Sequence, residues 1–247
     1  MKEGIISFIG GGDLYMDLLA ADGSSRGLEK VGNATKFAIK VDSETKKLLA
    51  RGRDNYGQTL ASTTRISATT ISISLNQIDH NTLAAVFMGD SAKRTGAGGT
   101  ITDEAITARL GRWVELAHGD ISAVTVTNAS GSVTYVAGTD YNVNARLGLI
   151  QAITGGAIAD AAALLVDYTW AAETGYRITG ATKPVVKVSL RLDGKNDYNG
   201  EPVVVRVWEA NLQPASEVDF LAEDFAEMQF EGELISPLGK SWPFEVV

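Results

Sequence analysis

Polar and apolar positions alternate with a period of two along several stretches of this chain, and the last of them is the most informative. Met228, Phe230 and Leu234 point to one side of an extended segment, while Glu227, Gln229, Glu231 and Glu233 point to the other. Carboxylates so arranged repel one another, and glutamate is a poor strand former. A negative sheet surface here is therefore read as functional: the wall of a channel through which a polyanion slides without sticking. The same alternation predicts strands over residues 14–19, 35–41 and 65–75. In the second, Phe37, Ile39 and Val41 face inward and Lys36 and Lys40 outward; in the third, Ile71, Ile73 and Leu75 alternate with Ser72 and Ser74. Residues 35–41 are expected to return alongside 14–19. Two longer strands are expected over 185–192 and 203–208.

Between these strands the pattern changes. Residues 43–61 are polar, charged and glycine-bearing and read as a long protruding loop of the kind that binds something. A short helix is expected from Asn76 or Asp79 through Leu83, Val86 and Phe87 to a stop at Gly89. A second is expected after Ser216 and Asp219, with Val218, Leu221, Ala222 and Phe225 on one stripe. From Ser91 to about Gly175 the texture shifts to short strand candidates: 113–116, 123–126, 133–136, 141–143, 149–150 and 164–168. This part reads as an inserted or appended β-rich module. The expected division is 1–90 with 176–247 as a β core, and 91–175 as the module.

Length and composition bound the class. The 247 residues carry 45% hydrophobic positions, enough for a sizeable core, and 26 glycines against 5 prolines, which suits many tight turns. The net charge of −8 argues against sequence-independent affinity for nucleic acid, which needs clustered Lys and Arg. With no cysteine and only His80 and His118, disulfides are excluded and a zinc site is not expected. No stretch approaches the roughly 20 apolar residues of a membrane span. The first residues lack the pattern of a secretory signal, so a cytoplasmic site of synthesis is expected.

The candidate chemistry is thin. Gly10-Gly11-Gly12 and the Arg94–Gly99 loop lack the Gly-Lys-Ser/Thr ending and strand-to-helix setting of a phosphate cradle, and read as hinge or turn. His118 with Asp120, or Asp79 with His80, resembles half of a general-base pair, but neighbours in sequence rarely face one another. Glu227, Glu231 and Glu233 have a spacing of about 7 Å per two residues that a glycosidase pair also uses, yet no substrate-stacking aromatics lie beside them in sequence. No catalytic residue, cofactor or metal is assigned. Lys46, Lys47, Arg51 and Arg53, with Asp54 and Tyr56, form a small basic cluster suited to an acidic neighbouring subunit, or to a plain solvated loop. Several amphipathic strands in an open sheet leave sticky edges, and pairing with further copies hides them.

The order of these elements resembles the major tail tube protein of long-tailed, non-contractile bacteriophages. The likeness rests on the strand at 14–19 after a glycine-bearing arm, the strand at 35–41 leading to a long charged loop, and the strand and helix over 66–87. The closing strand 225–234 completes it. Residues 32–44 are the most family-like stretch, and 133–143 followed by 148–150 is similar to a hairpin common in phage tail proteins. The resemblance implies a mainly β, tail-tube-like sandwich or barrel subunit with one or two short flanking helices and an inserted module. It also implies stacked hexameric rings around a lumen, with the long loop and terminal arms joining the rings. Partners would be further copies, the tape-measure protein, tail terminator and tail-tip proteins, and double-stranded DNA passing through without sequence-specific binding; no membrane is involved. The location would be the virion tail, assembled in the host cytoplasm. On this reading Asp17, Ser72, Ser74, Glu227, Gln229, Glu231 and Glu233 face the lumen. Lys46, Lys47, Arg51, Arg53, Asp54 and Tyr56 make contacts between rings or subunits. Two alternatives stay open: a decorating or baseplate subunit that does not stack, and a carbohydrate-active enzyme using Glu227 or Glu231.

Overall fold

A computed structural model describes residues 10–223 and 227–247. The fold is mainly β, with several antiparallel sheets and, among the described residues, one short helix. In chain order the elements are β1 (Gly10–Leu18), β2 (Glu29–Lys30), β3 (Ala34–Leu49), β4 (Thr59–Leu75), α1 (His80–Val86), β5 (Asp90–Gly96), β6 (Gly99–Thr107), β7 (Trp113–Glu115) and β8 (Ile121–Asn128). They continue with β9 (Tyr141–Asn144), β10 (Leu149–Ala152), β11 (Ala163–Trp170), β12 (Glu173–Thr179), β13 (Val186–Asn196), β14 (Pro202–Pro214), β15 (Met228–Ile235) and β16 (Phe244–Val246). The chain divides into two compact units, residues 1–92 with 178–247, and residues 93–177.

The first unit is one sheet in the order β2-β1-β13-β14-β15-β4-β3, with β16 added beside β14. Its apolar face wraps a single core. Phe230 lies opposite Ile73, which lies opposite Phe37, so alternation on three neighbouring strands delivers one apolar row. Leu14 and Met16 of β1, Val188 and Leu190 of β13, and Ala85 and Val86 of α1 close the same core. Val31 N–H donates to Leu14 O and Asn76 N–H to Asn33 O, so residues 31–33 link the β1 end of the sheet to the β4 end. Gly32 makes that link possible: a Cβ there would lie 2.1 Å from Gln77 O. Helix α1 starts where expected, capped by Asp79, whose carboxylate accepts from Thr82 N–H at 2.6 Å.

Several expectations are corrected. β3 does not return along β1; it pairs with β4 over its whole length, and β1 pairs with β13. Local turns suggested the wrong neighbour because strands some 180 residues downstream fill the space between them. Residues 43–61 are a loop only at 50–58; the rest continues β3 and β4 into a two-stranded ribbon. Gly10-Gly11-Gly12 is neither hinge nor turn but paired strand, opposite Gly194–Asn196. Residues 216–223 are not helical: Ser216 Oγ accepts from Gln229 N–H at 3.1 Å rather than capping a helix, and Phe225 lies outside the described residues.

The second unit packs β6-β11-β8 and β7-β10-β9 around Val126, Val166, Tyr168, Leu164, Ile150 and Tyr141. Residues 133–136 are not a strand there; Thr134 makes only an isolated bridge to Thr127. The turn that follows is held by buried Asp140. One carboxylate oxygen accepts from Val136 N–H at 2.8 Å and the other from Ala157 N–H at 2.9 Å. Those two donors hold the carboxyl below the usual carboxylate range. The expected glycine-rich loop at 94–99 is also mostly strand, since β5 runs to Gly96 and β6 starts at Gly99; β5 and β12 form a two-stranded ribbon.

Candidate functional site

Alternation on β15, β4 and β3 puts the polar partners of the core rows on one outward face, and the registers align them across the strands. Gln229 lies opposite Ser74, which lies opposite Lys36. Glu231 is followed by Ser72 and Ala38, and Glu233 by Thr70 and Lys40. β14 extends two rows, with Gln213 opposite Glu231 and Asn211 opposite Glu233. Gln229, Glu231 and Glu233 are exposed, Ser72 is half-buried, and Ser74 is covered between its neighbours. The face is thus acidic on β15, hydroxyl-bearing on β4 and cationic on β3.

The charges are only partly compensated. Lys40 is tied to Asp42 at 2.6 Å on its own strand. Among the described residues, Glu231 and Glu233 have no cation partner. Glu227 sits just before β15 and accepts from Thr35 Oγ1 at 2.6 Å, at the Leu75 end of the face.

Asp17 does not join this face. It lies on β1, with β13 and β14 between it and β15, and is 2% exposed. Its carboxylate accepts from Ser25 Oγ and from Arg26 N–H at 3.0 Å, so it anchors the 19–28 loop. Sequence alternation gave the correct outward direction but could not show that a loop covers it.

The distal ribbon of β3 and β4 carries the other predicted cluster. Lys46 and Lys47 lie opposite Thr63 and Ser62 in the ribbon, while Arg51, Arg53, Asp54 and Tyr56 occupy the connecting 50–58 segment. Arg53 Nε pairs with Asp54 at 3.0 Å. Both faces of the ribbon are exposed, and it also presents Leu48, Leu49, Leu60 and Ile66 to solvent. Ala50 alone is buried, folded under the tip by hydrogen bonds with Gln58 and Gly57.

The histidine candidates serve packing and capping. His118 stacks on Trp170 with ring centroids 3.9 Å apart, and its Nδ1 lies 3.2 Å from Tyr168 Oη. Tyr168 donates to Glu104 at 2.5 Å. Burial first, and Glu104 second, push the Tyr168 phenol far above its ordinary range. Asp120 is not a partner of His118 in this arrangement; its N–H donates to Arg146 O. Asp79 is the cap of α1. No group of three or more His, Cys, Asp or Glu able to hold a metal occurs among the described residues.

Sequence reasoning missed Thr70, Asn211 and Gln213 on the acidic face. Buried positions on β14 run Val203, Val205, Val207 and then Ala210, Leu212, and the break in that rhythm was the available signal. The cause is a bulge near Trp208, where the pairing steps from Leu190↔Val207 to Val188↔Ala210. It also missed a cavity of about 430 Å³ floored by Leu18, Ala84, Ala85 and Pro184. At its mouth Lys183 pairs with Asp90 at 2.6 Å, and with Thr182 holds that carboxyl below its ordinary range.

Residues 7–241 match the family described as "Protein of unknown function UCP028589", and the chain belongs to that family. No curated protein matches it.

Proposed function

We propose that this chain is a structural subunit that assembles with copies of itself into the hollow tail tube of a long-tailed, non-contractile bacteriophage. The β15 and β4 part of the outward polar face, centred on Glu231 and Glu233, lines the bore, with Lys36 and Lys40 of the edge strand β3 at its margin. The observation that carries the reading is the register itself: Gln229, Glu231 and Glu233 align with Ser74, Ser72 and Thr70 in a polar wall backed by a packed apolar row. A wall of fixed negative charge and hydroxyls keeps a phosphate polymer hydrated, whereas fixed cations would trap it. Further support comes from the outer edge of β3. It is 16 residues long and has a hydrogen-bonded neighbour on one side only among the described residues, which suits pairing with a second subunit. Six subunits per ring, and tape-measure, terminator and tip proteins as partners, belong to the same proposal through the family resemblance, as does location in the virion tail.

The test is negative-stain electron microscopy of the purified chain at high concentration, with mass by light scattering. Hollow tubes or stacked six-fold rings are expected. Closed oligomers that refuse to stack would overturn the tube and favour a decorating role.

A further inference from the structure

Two exposed apolar features of the first unit carry opposite charge and lie at opposite ends of one strand. At the Thr59 end of β4, the ribbon tip presents Leu48 (61% exposed), Leu49, Leu60 and Tyr56. Residues 45–58 there hold four cations, Lys46, Lys47, Arg51 and Arg53, against one carboxylate, Asp54. At the Leu75 end, residues 217–223 hold three carboxylates, Glu217, Asp219 and Glu223, and no cation. Between those carboxylates Phe220 and Leu221 stand 74% and 91% exposed.

The position of this acidic segment is fixed by its anchors. Pro214 pairs with Phe230, Ala215 N–H donates to Gln229 O, and Met228 lies opposite Leu75. Phe220 stacks on Phe87, just past α1, at 6.0 Å. Asp219 accepts from Leu221 N–H at 2.8 Å, a turn that leaves the Leu221 side chain facing water.

We infer that the ribbon tip of one copy docks on the Glu217–Glu223 segment of a second copy, with Leu48 and Leu49 against Phe220 and Leu221 and the basic tip against the three carboxylates. The contact cannot form within one chain. β4 has 17 residues and a contour of about 55 Å at about 3.3 Å per residue, and it separates the two surfaces. A contact between different patches at opposite ends of identical subunits is head-to-tail, and unless the rotation per subunit closes it into a ring it leaves a free tip and a free acceptor at the two ends of the assembly. An open contact of this kind propagates. Exposed apolar side chains supply the burial, and the opposite charges fix the direction, because tip against tip or acceptor against acceptor is repulsive. The inference rests on the tube reading for its role, but it names an acceptor that the reading does not supply.

The chain has no cysteine, so single thiols can be placed cleanly. Full-length Leu48→Cys is mixed with full-length Leu221→Cys and oxidised with copper phenanthroline; Leu48→Cys mixed with Ser130→Cys is the control. The expected result is a disulfide-linked pair of chains of 26.2 kDa each, several-fold more abundant in the first mixture than in the control. Adding Arg51→Glu with Arg53→Glu to the tip should remove that excess. Adding Glu217→Lys with Glu223→Lys to the acceptor should restore it. No excess over the control overturns the inference. Tubes without the excess would sink this contact while sparing the tube reading. The excess in oligomers that never stack would keep the contact and sink the tube.

Discussion

Glu233 and Lys40 occupy the same side of one sheet with Thr70 between them, on the two strands that flank β4. The lysine is engaged by Asp42 at 2.6 Å, so the row reads as carboxylate, hydroxyl and neutralised pair rather than as a salt bridge across the sheet. Lys40 therefore does not cancel Glu233.

Glu231→Lys with Glu233→Lys changes the sign of the wall while leaving the packed row behind it untouched. Both positions are exposed, so stability should move by no more than about 0.5 kcal/mol. Tubes should form normally. DNA release from virions carrying both changes should slow, and the slowing should fade as salt rises. Normal infectivity of such virions would count against the wall.

Gly232 lies on the inward side of β15, where β14 passes close. A Cβ there would sit 2.2 Å from Asn211 O and 2.9 Å from Leu212 Cδ2. The first neighbour is backbone and cannot swing away, so Gly232→Ala should destabilise the first unit by at least about 1–3 kcal/mol. Thermal unfolding would show it, and an unchanged midpoint would mean the two strands are further apart than described.

Asp79→Ala removes the carboxylate that accepts from Thr82 N–H at the start of the seven-residue α1. A loss of about 1 kcal/mol is expected by urea denaturation. Asp79→Ser should recover most of it, since a hydroxyl can take the same bond. Failure of the serine to rescue would point to a role other than capping.

Asp140 carries a pH dependence with a definite sign. Its carboxyl is held below its ordinary range in the folded turn by Val136 and Ala157 N–H groups. The resulting stability is fully present above about pH 3.9, the ordinary aspartate value, and is lost as pH falls through the lower folded value. Asp140→Asn should therefore lower the unfolding midpoint at neutral pH and narrow the gap to wild type in acid. A gap that widens in acid would contradict the assignment.

How far the fold was legible follows from which residues had one wet and one dry side. Ile71, Ile73 and Leu75 against Ser72 and Ser74 announced β4 because the core lies on one face only. The ribbon beyond it was read as loop because Lys46-Lys47 and Leu48-Leu49 come in adjacent pairs, and with water on both faces nothing enforces alternation. Strand order was not legible at all. β15 inserts between β14 and β4, and β13 takes the place beside β1 where β3 was expected; the β15–β4 and β1–β13 partners are each more than 100 residues apart in sequence. Glu231, Glu233, Ser72 and Ser74 were correctly grouped by parity. Asp17 shares their outward direction, but its burial depends on Ser25 and Arg26, and parity carries no word of a covering loop.

The strand order also sets a schedule for synthesis. When the ribosome has made β1 to β4, β2 can pair with β1 and the β3–β4 hairpin can close, but β13, the long neighbour of β1, and β15, the inner neighbour of β4, do not yet exist. Residues 93–177 emerge next and contain all the strands of their own two sheets. Only when β13, β14 and β15 follow can the first sheet be joined from end to end. The nascent chain therefore holds a finished second unit while the first is still open, and the acidic strand β15, the last of that large sheet to be translated before β16, arrives as the strand that joins the two parts of the sheet.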